Sequence, residues 1–164
     1  MQLLISDANI LIDLEEGQLI ELMFQLPFEF CIPDILFIEE LEEDHGHFKT
    51  LGLSLCELES ETMLHAMGLI SKYNRTSRND CFALALAAAK RCPLLTGDKA
   101  LREAAKKEAV IVHGTIWVTE MLIANGLISV TQARDAFQRM RNAGRRLPWP
   151  IAEATLDEDR KSVV

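Results

Sequence analysis

An alternation constrains this chain more than anything else in it. Short apolar runs at 2–6, 29–32, 93–96 and 109–112 are each followed by a stretch with apolar residues at helical spacing. Strands and helices taking turns predict a parallel sheet with helices on both faces, because parallel strands need a crossover and a helix is the usual one. The same pattern predicts a helix near 9–25 interrupted at Gly17, a helix over 34–44, and a polar loop through His45-Gly46-His47. A short third strand is expected within Leu51 to Leu58, then helices over 60–73, 79–91, 98–108, 114–125 and 129–143. Gly126 suits a helix C-terminal cap. From 147 onward, Pro148, Pro150 and the acidic Asp157-Glu158-Asp159 read as an extended tail,. The expectation is one domain over 1–146 and a tail over 147–164. A chain of 164 residues buries about 68–70% of its unfolded surface, enough for one core without staples.

Four carboxylates occupy the places where such a fold gathers ligands. Asp7 closes the first apolar run and Asp98 follows Pro93 to Leu95, so both belong at strand carboxyl ends, where open α/β sheets bind ligands. Asp80 opens the helix 79–91, and Glu40 lies in the helix begun at Pro33-Asp34. If those helices lean over the same sheet edge, four hard oxygen donors converge, an arrangement that suggests a metal-dependent nuclease. The competing reading is structural. Asp before a helical run is a preferred N-cap, and Glu40 sits in the cluster Glu39, Glu40, Glu42, Glu43, Asp44, which also reads as a solvated face. Spacing does not choose Glu40 over Glu39.

Charge is distributed unevenly. The net charge of −8 argues against a general nucleic-acid coat, yet residues 71–107 carry nine basic and three acidic side chains, against one and 15 in residues 1–70,. Lys72, Arg75 and Arg78 precede Asp80, while Lys99, Arg102, Lys106 and Lys107 follow Asp98. Positive charge therefore flanks two of the four acids, as a phosphate backbone held beside a cation would require.

Other chemistries find less support. Cys31, Cys56, Cys81 and Cys92 show no CxxC spacing and lie in apolar contexts that suit reduced, buried thiols, so neither a disulfide framework nor a zinc site is expected,. His45, His47, His65 and His113 match no zinc spacing. The glycines form neither a Walker loop nor GxGxxG, and no nucleophile elbow marks a Ser-His-Asp hydrolase. No apolar run reaches the roughly 18 to 20 residues a bilayer span needs, and no basic segment precedes the first apolar stretch, so the chain reads as a soluble protein of the cytoplasm.

The context of each acid resembles one family, the PIN domain. Ser6-Asp7-Ala8-Asn9-Ile10-Leu11-Ile12 looks like its opening strand motif, Ile38-Glu39-Glu40-Leu41 like its second-acid helix, and Asn79-Asp80-Cys81-Phe82-Ala83-Leu84-Ala85 like its third. Leu94-Leu95-Thr96-Gly97-Asp98-Lys99-Ala100-Leu101 looks like the segment with the fourth acid. The resemblance runs over about residues 1–128. It implies a three-layer α/β/α domain with sheet order 3-2-1-4-5, Mg2+ or Mn2+ held by Asp7, Glu40, Asp80 and Asp98, and cleavage of RNA. It makes Asn9 and Thr96 supporting polar groups, with Arg75, Arg78, Lys99 and Arg102 as candidate RNA contacts. Many relatives are toxins held by an antitoxin protein, and a homodimer is the default assembly for such folds. A PIN-like module that binds RNA or a protein without cutting it is the alternative. Arg141, Arg145 and Arg146 before Pro148-Trp149-Pro150 suit either a partner-docking segment or one wrapped on its own domain,.

Overall fold

The computed structural model describes residues 1–163, with side chains through Asp159. The first half runs β1 (Gln2–Ser6), α1 (Ala8–Glu16), α2 (Ile20–Met23), β2 (Phe28–Pro33), α3 (Asp34–Glu40), α4 (Glu42–His45), α5 (Phe48–Leu51) and β3 (Ser54–Cys56). The second half adds α6 (Ser60–Lys72), α7 (Arg78–Lys90), β4 (Leu94–Leu95), α8 (Lys99–Lys107), β5 (Val112–His113), α9 (Thr115–Ala124), α10 (Val130–Asn142) and α11 (Trp149–Val163). The strands form one parallel sheet in the order β3-β2-β1-β4-β5. Helices α6, α7 and α8 pack together as one layer, while α1, α2, α9, α10 and α11 pack together as another. This is the three-layer architecture that the alternation predicts.

The core explains where the site lies. Leu4, Ile5 and Ser6 are buried at the centre of the sheet, and α7 buries every residue from Cys81 to Ala87. A helix apolar on all sides belongs inside, and its alanines allow close approach to β1 and to α6. Asp80 stands at the mouth of this buried rod, so the packing that fixes α7 also fixes the carboxylate.

Five details depart from the sequence-based expectations. The predicted helix 34–44 breaks at Leu41 (φ −121°) into α3 and α4, and the polar loop at 45–47 shrinks to a link between α4 and α5. Strand β5 begins at Val112 rather than 109, because Ala109 takes a left-handed φ of 59° to turn the chain out of α8. Cys31 and Cys56 are joined as a disulfide, against the expectation of reduced thiols. Parallel pairing sets Cys31 opposite Ser54 and Cys56 opposite Pro33, which leaves the two Cα atoms 6.4 Å apart, within bridging range,. Cys81 and Cys92 remain free.

The last correction concerns the segment expected to be an extended tail. It is helical over Trp149–Val163. Pro150 occupies the first turn, where a missing N–H removes no intrahelical bond. Ala152 and Leu156, four residues apart, are fully buried, and the helix packs on α9 and α10. The segment thus wraps its own domain.

Candidate functional site

Asp7 leaves the end of β1 in extended conformation and caps α1, its Oδ1 accepting from the Ile10 amide at 3.0 Å. Its Oδ2 accepts from the Thr96 hydroxyl at 2.5 Å. The carboxyl is only 2% exposed. Burial pushes its pKa up to about 7, and the neighbouring charges of Asp80 and Asp13 add to the rise, although both hydrogen bonds oppose it,. Thr96 also accepts from the Asp98 amide at 3.1 Å, tying the ends of β1 and β4 together.

Asp98 caps α8 through Oδ2, which accepts from the Leu101 amide at 2.8 Å. The capping reading is therefore correct for Asp7 and Asp98, but it is not exclusive, since a carboxylate has about four lone-pair sites and each cap takes one. Asp80 is not a cap. Ser77 performs that role for α7, accepting from the Asp80 amide at 3.1 Å. The Asp80 carboxyl is pushed up to about 6, chiefly by burial and then by the charges of Asp98 and Glu40, against a lowering hydrogen bond from Ser77. Glu40 is exposed on the last turn of α3. Asn79 donates to both Glu39 Oε2 at 2.9 Å and Glu40 Oε2 at 3.0 Å. Of those two glutamates, Glu40 is the one whose charge reaches Asp80.

Like-charge repulsion thus links Asp7 to Asp80, and Asp80 to both Asp98 and Glu40. Among the described residues, no three Asp, Glu, His or Cys side chains converge closely enough to coordinate one ion by themselves. The donor set nonetheless fits a hard cation such as Mg2+, which binds one or two carboxylates and keeps several waters. A cation there would also offset the burial and the like-charge repulsion that raise Asp7 and Asp80.

One network was not legible in the sequence. Asp13 is buried on α1, and its Oδ1 accepts from Arg145 Nε at 2.5 Å while Oδ2 accepts from Thr115 Oγ1 at 2.8 Å. Arg145 Nη2 also donates to Asn9 Oδ1 at 3.1 Å. Asn9, expected as a support for the acids, is thus engaged by Arg145. The available signal was Asp13 itself, a lone acid between Ile12 and Leu14 that a buried position obliges to find a partner.

The flanking cations are exposed. Arg75 precedes α7, Arg78 lies over the Phe82 ring at 5.2 Å, and Lys99 and Arg102 lie on α8. A hollow of about 360 Å³ beside Asp98 is lined by Asn9, Gly97, Arg145 and Arg146. A larger one, about 800 Å³, lies along α8 and the β5 edge between Lys99, Arg102 and Lys106. The histidines stand apart from the acids too. His45 and His47 each contact a separate oxygen of Glu15 at 2.6 Å, His65 lies 3.8 Å from Glu108, and His113 stacks on Trp117.

Comparison with known proteins agrees with the fold. No curated protein matches the chain. The crystal structure of VapBC2 from Rickettsia felis bound to a DNA fragment from its promoter contains a similar chain. The two share 12% identity with a TM-score of 0.50, and the match covers 69% of this chain and 98% of that one. At that identity the likeness is one of fold. A family model for the PIN domain matches residues 3–160, nearly the whole sequence. With the sheet order, the helical layers and that match in agreement, the chain belongs to the PIN-domain family.

Proposed function

We propose that this protein is a Mg2+- or Mn2+-dependent ribonuclease that hydrolyses RNA phosphodiester bonds. The observation that carries the reading is the gathering of Asp7, Asp80, Asp98 and Glu40 at the carboxyl edge of the sheet, where burial first and neighbouring negative charge second push the Asp7 and Asp80 carboxyls up. These four would hold the cation, directly or through water. A divalent ion held there would polarise a phosphoryl oxygen and acidify a bound water so that it could serve as the nucleophile.

The chain's own groups do the rest. Thr96 fixes the Asp7 carboxyl in one orientation, and Asn79 does the same for the α3 glutamates. Arg145 pairs with Asp13 and offsets part of the negative charge that Asp13 places behind Asp7. Arg75, Arg78, Lys99 and Arg102 supply phosphate contacts on either side of the acids. A toxin role, with a dedicated antitoxin covering the site in the cytoplasm, is the narrower form of this proposal. Among the described residues no helix is long and apolar enough to cross a membrane.

The chemistry of the product ends tests the proposal. Attack by water leaves linear phosphate and hydroxyl ends, and a substrate with a single 2′-deoxy nucleotide at the cut is still cleaved. Mass spectrometry of a short labelled RNA incubated with Mn2+ distinguishes these outcomes. Cyclic 2′,3′-phosphate ends with a resistant deoxy substrate would transfer the nucleophile to the RNA's own 2′-hydroxyl and overturn the mechanism. RNA bound but left intact would favour the non-cutting module.

A further inference from the structure

A cavity of about 440 Å³ lies beside Thr96 and Gly97, next to the acids. It meets the hollow beside Asp98 at Gly97 and Arg146, which line both. A Cβ at Gly97 would touch nothing within 4 Å, so no side chain crowds this shared wall. One wall is the His113–Trp117 pair, stacked with ring centroids 4.0 Å apart. Arg102 and Arg146 stand on the wall as cations. The far wall comes from the start of α11, where Ile151 is left 60% exposed although it lines the cavity.

The wall also carries two carboxylates. Asp13 is committed to Arg145 and Thr115. Glu120 has no hydrogen-bond donor among the described residues, and burial pushes its pKa up, with the charge of Asp159 adding to the rise. A half-buried acceptor beside an aromatic wall and two arginines is the set of partners that a nucleotide brings together. Bases stack on aromatic rings and pair through their Watson–Crick edge, while arginine takes the phosphate. Burial holds the His113 pKa down, which keeps the ring neutral and suited to stacking.

We propose that this cavity is a nucleotide subsite: Arg102 and Arg146 bind a phosphate, the base lies against His113 and Trp117, and Glu120 accepts from the base. Guanine fits the acceptor best, because its N1–H and N2–H groups present two adjacent donors. The subsite's role as the pocket for a nucleotide flanking the cut rests on the nuclease reading, but nucleotide binding does not.

Binding in EDTA tests it without any cleavage. In the full chain carrying Trp149→Phe, Trp117 is the remaining tryptophan and reports directly. Each of the four ribonucleoside 5′-monophosphates is titrated, with ribose 5-phosphate and inorganic phosphate as probes that lack a base. We expect saturable changes in Trp117 fluorescence with the nucleotides, GMP binding tightest, and base-free probes weaker by roughly fivefold or more. Arg146→Ala should weaken every probe alike. His113→Ala should weaken the nucleotides and spare inorganic phosphate, and Glu120→Gln should erase the preference for GMP. Equal affinity for base-free probes, or no response to any nucleotide, would overturn the subsite. Nucleotide binding by a protein that never cuts RNA would instead refute the nuclease reading and leave the subsite standing.

Discussion

Asp7→Asn is expected to lower kcat/KM for RNA cleavage about a thousandfold or more at saturating Mn2+. Losing one anionic ligand removes several kcal/mol of charge stabilisation, and each 1.36 kcal/mol is a factor of ten in rate. The substitution is nearly isosteric. Asn retains the oxygen that caps α1, and its amide can donate to the Thr96 hydroxyl in place of the bond that Thr96 now donates to Asp7,. Circular dichroism should therefore report an intact fold. Activity within tenfold of the parent would remove Asp7 from the site.

Stability without metal should depend on pH in a direction few acids produce. The folded-state pKa of Asp7 is about 7, against 3.8 ordinarily. Between those values the folded protein keeps a proton that the unfolded chain has released, so the group's contribution is intact below about pH 4 and lost as pH rises through 7. At about 1.4 kcal/mol per pKa unit, Asp7 alone should make the metal-free protein roughly 2 to 3 kcal/mol more stable at pH 5 than at pH 8. Asp80, raised to about 6, acts in the same sense. His113, whose pKa is lowered by burial, acts oppositely as it resists protonation. The comparison is therefore parent against Asp7→Asn, by urea unfolding in EDTA at both pH values. The variant should lose most of the acid stabilisation, and parallel profiles would contradict the buried, strained carboxyl.

The edge that carries the acids was legible because Asp7 and Asp98 follow strands and Asp80 opens a helix, and a parallel fold brings those ends to one side. The sheet order was legible only through the resemblance to the PIN domain. Glu39 and Glu40 could not be separated by spacing. Their distinction depends on how α3 leans toward α7, a tertiary fact. The Cys31–Cys56 bridge was hidden for a similar reason, since the pairing of β2 with β3 creates the proximity of two residues 25 apart in sequence. Arg145 and Asp13 lie farther apart still, joined only when the chain after α10 returns over α1. Pro148 and Pro150 read as breakers of regular structure, yet proline in a first turn does not prevent a helix, and the burial of Ala152 and Leu156 holds this one in place,.

The central claim is that the acidic edge works through a divalent ion, and cleavage of single-stranded RNA before and after chelation tests it most directly. Purified protein stripped with EDTA should leave the RNA intact, and adding excess Mn2+ or Mg2+ to the same sample should restore cutting. Cleavage that persists in saturating EDTA would contradict the account.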